Sequence, residues 1–347
     1  MRVLVVADVV GGVRTFVHEL TGGLTRLGAE VHLALIGRDA SVAAPAAASC
    51  ELRDLKLEWM ADPWRDVEAT SDWVGELVAH HRPDVVHMNT FAPVPDGGVP
   101  VLLTVHSCVV TWWRAVHGSE TPAGWTRYRT AARLALDRAN AVCAPTRALL
   151  EELIAAYGKL RGARVIPNGR TIAQPLPEPQ DCRERLVVCV GRLWDEAKNA
   201  ALLASAAPAI DGHVVLIGPG GVCGIESLGG LRSAEVLGWF RRAAVFAEPA
   251  RYEPFGLAAL EAALCGCALV LGDIPSLREV WQDAASFVRP DDRHALVDAI
   301  NALLEDSAHW RDAANVARAR AALYTQSAMS SAYLDAYREV ARFAIPA

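Results

Sequence analysis

The sequence predicts an α/β protein built from two Rossmann-like, doubly wound domains that face each other across a cleft. Three observations carry that expectation. Short apolar runs alternate with longer amphipathic stretches along nearly the whole chain. The runs are apolar on both faces, as strands of a parallel sheet covered by helices are. A Pro-rich segment near the middle interrupts the rhythm, which then restarts. At 347 residues and 52% hydrophobic content, the chain has the length and the apolar material for two cores.

In the first series, the strand-like runs are 3–7, 31–36, 84–88, 101–105, 140–144 and 163–167. Helical spacing occupies 14–28, 65–81, 127–139 and 146–158, the last ending at Gly158, a common helix stop. These place an N-terminal domain at 1–166. Four prolines and few large apolar residues mark 167–185 as a linker. The second series runs through 186–191, 213–218, 234–238, 243–248, 267–272 and 285–288, with helical stretches at 256–264 and 294–306. It places a C-terminal domain at 186–326. A last helix, within 327–347, is expected to pack back toward the N-terminal domain. Open parallel sheets bind ligands beyond the carboxyl ends of their strands, so the site is expected in the cleft.

The net charge of −6 argues against a nucleic-acid partner, which calls for a basic excess. Between 114 and 147, Arg114, Arg127, Arg129, Arg133, Arg138 and Arg147 face only Glu120 and Asp137. That excess suits an anionic acceptor or a lipid surface, and equally a solvated helix face. The eight cysteines lie mostly in apolar segments without a CxxC pair, as buried thiols of a reducing compartment do. The N-terminus lacks the features of a signal peptide, and no run approaches the roughly 18 apolar residues of a membrane span. A cytoplasmic protein is expected, soluble or at most peripheral, with membrane contact left open but not indicated.

Three strand ends carry residues suited to chemistry. The first strand runs into Asp8-Val9-Val10-Gly11-Gly12 and then directly into a helix. Gly11 and Gly12 let backbone N–H groups approach a phosphate, whose charge the helix start favours, although a simple βα turn looks the same. Strand 186–191 delivers Gly191-Arg192-Leu193-Trp194-Asp195-Glu196-Ala197-Lys198. Arg192 and Lys198 suit a departing diphosphate, which gains negative charge in the transition state; the plainer alternative is a salt bridge to Asp195 or Glu196. The third segment, Tyr252-Glu253-Pro254-Phe255-Gly256-Leu257, opens a helix, so the amides of Phe255, Gly256 and Leu257 are expected to be unpaired donors. Glu253 and Glu261 are placed to accept sugar and ribose hydroxyls, each bond worth roughly 1.5–3 kcal/mol. Glu261 sits in the apolar stretch LAALEAALCG, where a carboxylate needs a ligand or a cation. His106 ends strand 101–105 and suits a cleft ligand or the core, whereas His87 reads as structural. Trp112, Trp113, Trp125 and Tyr128 follow, as sugar platforms or as core.

Taken together, these residues resemble the retaining glycosyltransferases of the GT-B fold, specifically the bacterial members of family 4. GGVRTFVHELTGGLTRLGAEVHL, RPDVVHMN, VLLTVHS, ARVIPNG, VGRLWDEAKN and EPFGLAALEAALCG match the family's landmarks in order, the last being its E-x7-E motif. The resemblance implies an acceptor-side N-terminal domain and a donor-side C-terminal domain. It implies a catalytic group of His106, Arg192, Lys198 and Glu253. Gly11, Gly12, Phe255, Gly256, Leu257 and Glu261 would bind the donor. It further implies transfer from a nucleotide-diphosphate sugar with retained anomeric configuration, to an acceptor that is a glycan, a lipid-linked molecule or a small molecule. No cofactor and no metal are expected, and the absence of any D-x-D triplet agrees with this. The chain departs from the family at Arg170-Thr171, where many relatives continue IPNG with Val-Asp, and in the longer loop between Gly191 and Lys198.

Other readings are a nucleotide-sugar epimerase, a non-catalytic transferase-like subunit, a phosphorylase and a nicotinamide dehydrogenase. Arg192, Glu253 and Glu261 speak against the subunit. A phosphorylase needs a pyridoxal-phosphate lysine, and the only one after position 159 is Lys198. The dehydrogenase lacks its GxGxxG.

Overall fold

The computed structural model describes residues 1–38, 46–94, 98–172 and 183–343. The chain divides into two units, Met1–Gly169 with Thr325–Ala347, and Arg170–Tyr324. Of the linker expected at 167–185, residues 173–182 lie outside the described residues.

The first unit holds strands β1 (Arg2–Asp8), β2 (Glu30–Ile36), β3 (Ser49–Arg53), β4 (Val85–Met88), β5 (Val101–Thr104), β6 (Ala141–Ala144) and β7 (Arg164–Val165). They form one sheet in the order β3-β2-β1-β4-β5-β6-β7, parallel at every pairing. Its helices are α1 (Gly12–Arg26), α2 (Trp64–His81), α3 (Val109–His117), α4 (Thr126–Arg138) and α5 (Arg147–Tyr157). Val3, Val5 and Ala7 of β1 pack with Phe16, Val17, Leu20 and Leu24 of α1, four residues that recur at helical spacing.

The second unit holds β8 (Glu184–Val190), β9 (His213–Ile217), β10 (Glu226–Ser227), β11 (Ala243–Glu248), β12 (Ala268–Gly272) and β13 (Ser286–Val288). Its sheet runs β10-β9-β8-β11-β12-β13, again all parallel. Its helices are α6 (Ala200–Ala206), α7 (Ser233–Arg242), α8 (Leu257–Leu264), α9 (Pro275–Trp281), α10 (Arg293–Glu305) and α11 (Ser307–Ala321). Cores lie on both faces of this sheet, one around Phe240, Phe246, Leu260 and Trp281, the other around Leu203, Leu216, Val245 and Ile300. Both sheets reverse their winding next to the first strand of the series, between β1 and β4 and between β8 and β11. Such switch points leave a crevice at the carboxyl ends of the two strands.

The final helix, α12 (Gln326–Phe343), belongs to the first unit, where Met329, Tyr333 and Tyr337 share a core with Phe16 and Leu20. Gly23 of α1 allows this approach, since a Cβ there would lie 1.9 Å from Ser330 Oγ. Tyr337 OH meets His87 Nδ1 at 2.7 Å, and Thr104 Oγ1 meets His87 Nε2 at 2.8 Å. His87 is therefore a fully buried, doubly bonded core residue, and desolvation holds its pKa well below the ordinary value.

One predicted strand is a helix. Residues 234–238, expected as a strand, lie inside α7. Val236 and Phe240 are four apart on its buried face, and Glu235 closes a capping box with the Arg232 backbone N–H at 2.9 Å. Of the six arginines of the 114–147 stretch, Arg114 forms an ion pair with Glu120, Arg133 with Asp137, and Arg127 with Glu68 while covering the Trp64 ring. Tyr128 is core, while Trp112 and Trp113 are only partly covered. Among the described cysteines, Cys50 and Cys223 are exposed and the others are buried thiols outside any disulfide, a partial departure from the buried set expected. No described helix is long and apolar enough to cross a membrane.

Candidate active site

At the switch point of the second unit, the loop leaving β8 meets the loop leaving β11. Asn199, with φ at 54°, turns the first loop and donates from Nδ2 to Pro249 O at 2.9 Å and Pro290 O at 2.7 Å. The Arg251 amide donates to Ala197 O at 2.8 Å, a second tie between the same loops. This stitching delivers Lys198 to the end of β11. Its Nζ donates to Glu248 Oε1 at 2.5 Å and also to Glu253 Oε2. Lys198 and Glu253, both singled out from the sequence, are thus in direct contact.

Glu253 uses its other oxygen on the start of α8. Oε1 accepts from the Gly256 amide at 2.9 Å and from the Phe255 amide at 3.3 Å. The amides of Phe255 and Gly256 were expected to be unpaired, and that is corrected here: Glu253 caps them. The Leu257 amide, first in α8, has no acceptor among the described residues. Gly256 has φ at 88°, a left-handed turn that a side chain would strain, and this lets the chain enter α8 directly after Glu253. Ser276 Oγ donates to Glu253 O at 2.6 Å and fixes the loop further.

The electrostatics of this cluster follow from burial and pairing. Burial alone would push the Glu253 carboxyl up, but Lys198, the Phe255 amide and Arg192 outweigh it and hold the carboxyl below its ordinary value. Burial would likewise lower the Lys198 ammonium, yet Glu248 and Glu253 raise it. Glu248 is fully buried, and its carboxyl is raised by burial, pulled down by Lys198 and pushed up again by Glu253. Of the Glu248 carboxylate, Oε1 is bonded to Lys198, while Oε2 is buried with no hydrogen-bond partner among the described residues.

Arg192 stands at the carboxyl end of β8, with its Nη2 on Asp195 Oδ2 at 2.8 Å. The salt bridge weighed as an alternative is therefore present. It does not consume the guanidinium, because the buried Nε has no hydrogen-bond partner among the described residues. Asp195 is itself fixed by accepting from the Ala197 amide at 3.0 Å.

Glu261 lies one turn inside α8. It accepts from Arg170 Nε at 2.7 Å, and both side chains are largely buried. The cation that its apolar setting called for is the very residue at which the chain departs from the family pattern.

In the first unit, Gly11 adopts φ 58° and ψ −134°, a conformation reserved for glycine, and forms the N-cap of α1 without a side-chain cap. Gly11 and Gly12 are exposed, so the helix start is open. Asp8 Oδ1 accepts the Val10 amide at 2.7 Å and holds the turn. His106 Nε2 lies 2.9 Å from Asn89 Oδ1, and Asn89 Nδ2 donates to Val6 O at 3.0 Å. Because Asn89 must turn its amide nitrogen to Val6, its oxygen faces His106, so Nε2 carries the proton and Nδ1 is an acceptor. Desolvation beside Phe16, 4.4 Å between ring centroids, lowers the His106 pKa to about 3 and keeps the ring neutral.

The glycosyltransferase family 4 model matches residues 10–174. The glycosyl transferases group 1 model matches residues 184–306. The D-inositol 3-phosphate glycosyltransferase of Xylanimonas cellulosilytica is 27% identical over 390 residues, covering 96% of this chain and 92% of that protein. The chain belongs to the glycosyltransferases of the family 4 type. Among solved structures, sucrose-phosphate synthase from Thermosynechococcus elongatus aligns with a TM-score of 0.80 at 19% identity, covering 98% of this chain and 99% of that one. Anabaena Alr3699/HepE in complex with UDP and glucose aligns with a TM-score of 0.78 at 17% identity, covering 98% and 100%. The fold is accordingly the two-domain Rossmann-like fold of GT-B glycosyltransferases.

Two residues of this glycosyltransferase site escaped sequence reasoning. Glu248 carried the same signal that singled out His106, a polar residue ending an apolar strand. Arg170 carried none, since its partner is 91 residues away.

Proposed function

We infer that this glycosyltransferase takes its sugar from a nucleoside-diphosphate donor and holds the diphosphate beside Arg192, Lys198 and the start of α8. The observation that carries this reading is the buried Nε of Arg192, unpartnered among the described residues, within a cluster that also holds a buried ammonium at the switch point of the sheet. A buried donor without an acceptor costs about 1–3 kcal/mol, and an anionic oxygen relieves it. The complexes of Anabaena Alr3699/HepE with UDP and glucose, and with UDP-glucose, lend support from a protein of like fold.

In this reading the leaving diphosphate gains charge as the glycosidic bond breaks, and Arg192, Lys198 and the Leu257 amide stabilise that charge more in the transition state than before it. Glu253 retains lone pairs for sugar hydroxyls, and Glu261 accepts from the ribose. Within the first unit, the open start of α1 at Gly11 and Gly12 offers backbone donors and His106 Nδ1 offers an acceptor, in keeping with the roles that the family resemblance implies for them. Retention of configuration, with the leaving phosphate taking the acceptor's proton, and catalysis without a metal are parts of the same proposal. The paired cations and helix start supply the charge that a metal would supply.

The test is a melting panel with UDP, GDP, ADP and TDP. At about 100 times Kd, one of them should stabilise the protein by about 2.7 kcal/mol, a rise of roughly 4 °C for a chain of this length. No shift with any of the four contradicts the reading. Incubation of the matching nucleotide sugar with acceptors, inositol phosphate included, then separates transfer from the acceptor-free product of an epimerase.

A further inference from the structure

The candidate site holds more buried acid than base. Lys198 is shared between Glu248 and Glu253, while Arg192 is matched by Asp195. With all groups ionised, the cluster bears one net negative charge before any ligand arrives. A nucleotide-sugar diphosphate brings two more into a place with little water, where like charges at close range cannot all persist.

We propose that Glu248 is a proton-accepting positioning residue: it takes up one proton from solvent as the donor diphosphate binds, and thereby frees Lys198 to turn from the carboxylate to the phosphate. This rests on the donor reading above. Glu248 is the group placed to take the proton. It is fully buried at the end of β11, and its Oε2 has no hydrogen-bond partner among the described residues. Glu253 is a poorer base, since Oε1 accepts two amides and Oε2 accepts Lys198. The charged and titratable groups that act on Glu248 are Lys198 of the β8 loop, which opposes protonation, and Glu253 and Asp195, which favour it. Cys189 of β8 also lies within its field, its thiol pushed up to about 12 by burial and by Glu248, and so stays neutral. Burial and the two neighbouring carboxylates already raise the proton affinity of Glu248. A diphosphate raises it further. The proton ends on the Glu248 carboxyl, and no covalent bond to the ligand forms or breaks.

The sign of the linkage is fixed: if the bound state holds more protons than the free state, affinity rises as pH falls. The probe is UDP-, GDP-, ADP- or TDP-glucose, whichever binds most tightly, because a doubly esterified diphosphate does not titrate between pH 6 and 9. Calorimetry in two buffers of different ionisation enthalpy counts the protons. The wild type should take up as much as about one proton somewhere in that range, with Kd tightening by up to about tenfold per pH unit on acidification. Glu248→Gln, which imitates the protonated carboxyl, should take up none, bind with no pH slope and bind more tightly than wild type at pH 8. Zero uptake by the wild type across the whole range overturns the proposal, and that measurement needs no variant. An unchanged pH slope in Glu248→Gln, or weaker binding by it at pH 8, overturns it as well. Failure of all four nucleotide sugars to bind at any pH removes the donor reading itself, an outcome distinct from binding without proton uptake.

Discussion

Lys198→Met lowers sugar transfer by at least ~10²-fold and destabilises the second unit by about 3–5 kcal/mol. The two losses have separate causes. The activity loss follows from removing a cation that meets the leaving diphosphate. The stability loss follows from stranding acid: among the described residues the Glu248 carboxylate is bonded only to Lys198, and it is fully buried. Breaking a buried ion pair from one side leaves an uncompensated charge, which costs more than the intact pair contributes. Lys198→Met combined with Glu248→Gln separates the effects. The double variant should recover much of the denaturant midpoint while its turnover stays as low as that of the single variant. A double variant that regains activity would show that Lys198 acts only as a counter-ion.

Glu253→Ala should lower turnover by a similar factor, at least ~10²-fold, with a smaller stability loss than Lys198→Met. Glu253 caps the amides of Phe255 and Gly256 and shares Lys198 with Glu248. Its removal exposes the start of α8, a loss of about 0.5–2 kcal/mol for an ordinary cap, but leaves Lys198 paired. The ordering of the two variants by denaturant midpoint, with Lys198→Met the weaker protein, checks this. The reverse order would mean that the helix start, and not the buried pair, dominates the stability of the site.

Much of the fold was legible because a buried parallel strand must be apolar on both faces, and such runs stand out. The edge strand β3 was not, since four of its five residues are exposed and it has no apolar run to detect. Residues 234–238 misled for the opposite reason: a short apolar run fits a strand or one turn of a helix, and only Phe240 beyond it settles the period. In the site, Lys198 and Glu253 were legible as residue types at strand ends and a helix entry. Their partners were not. Lys198 lies 50 and 55 residues from Glu248 and Glu253, and Arg170 lies 91 from Glu261. A single sequence displays side chains but not the distances that folding sets between them. The consequence is largest at the start of α8, where two amides counted as open are capped by Glu253.

Hydrogen exchange with and without the tightest-binding nucleotide sugar tests the central claim most directly. Protection should concentrate at residues 191–199 and 253–261, the loop after β8 and the entry and first turn of α8. Saturating ligand that protects other segments and leaves both of these unchanged would place the donor elsewhere and contradict the account.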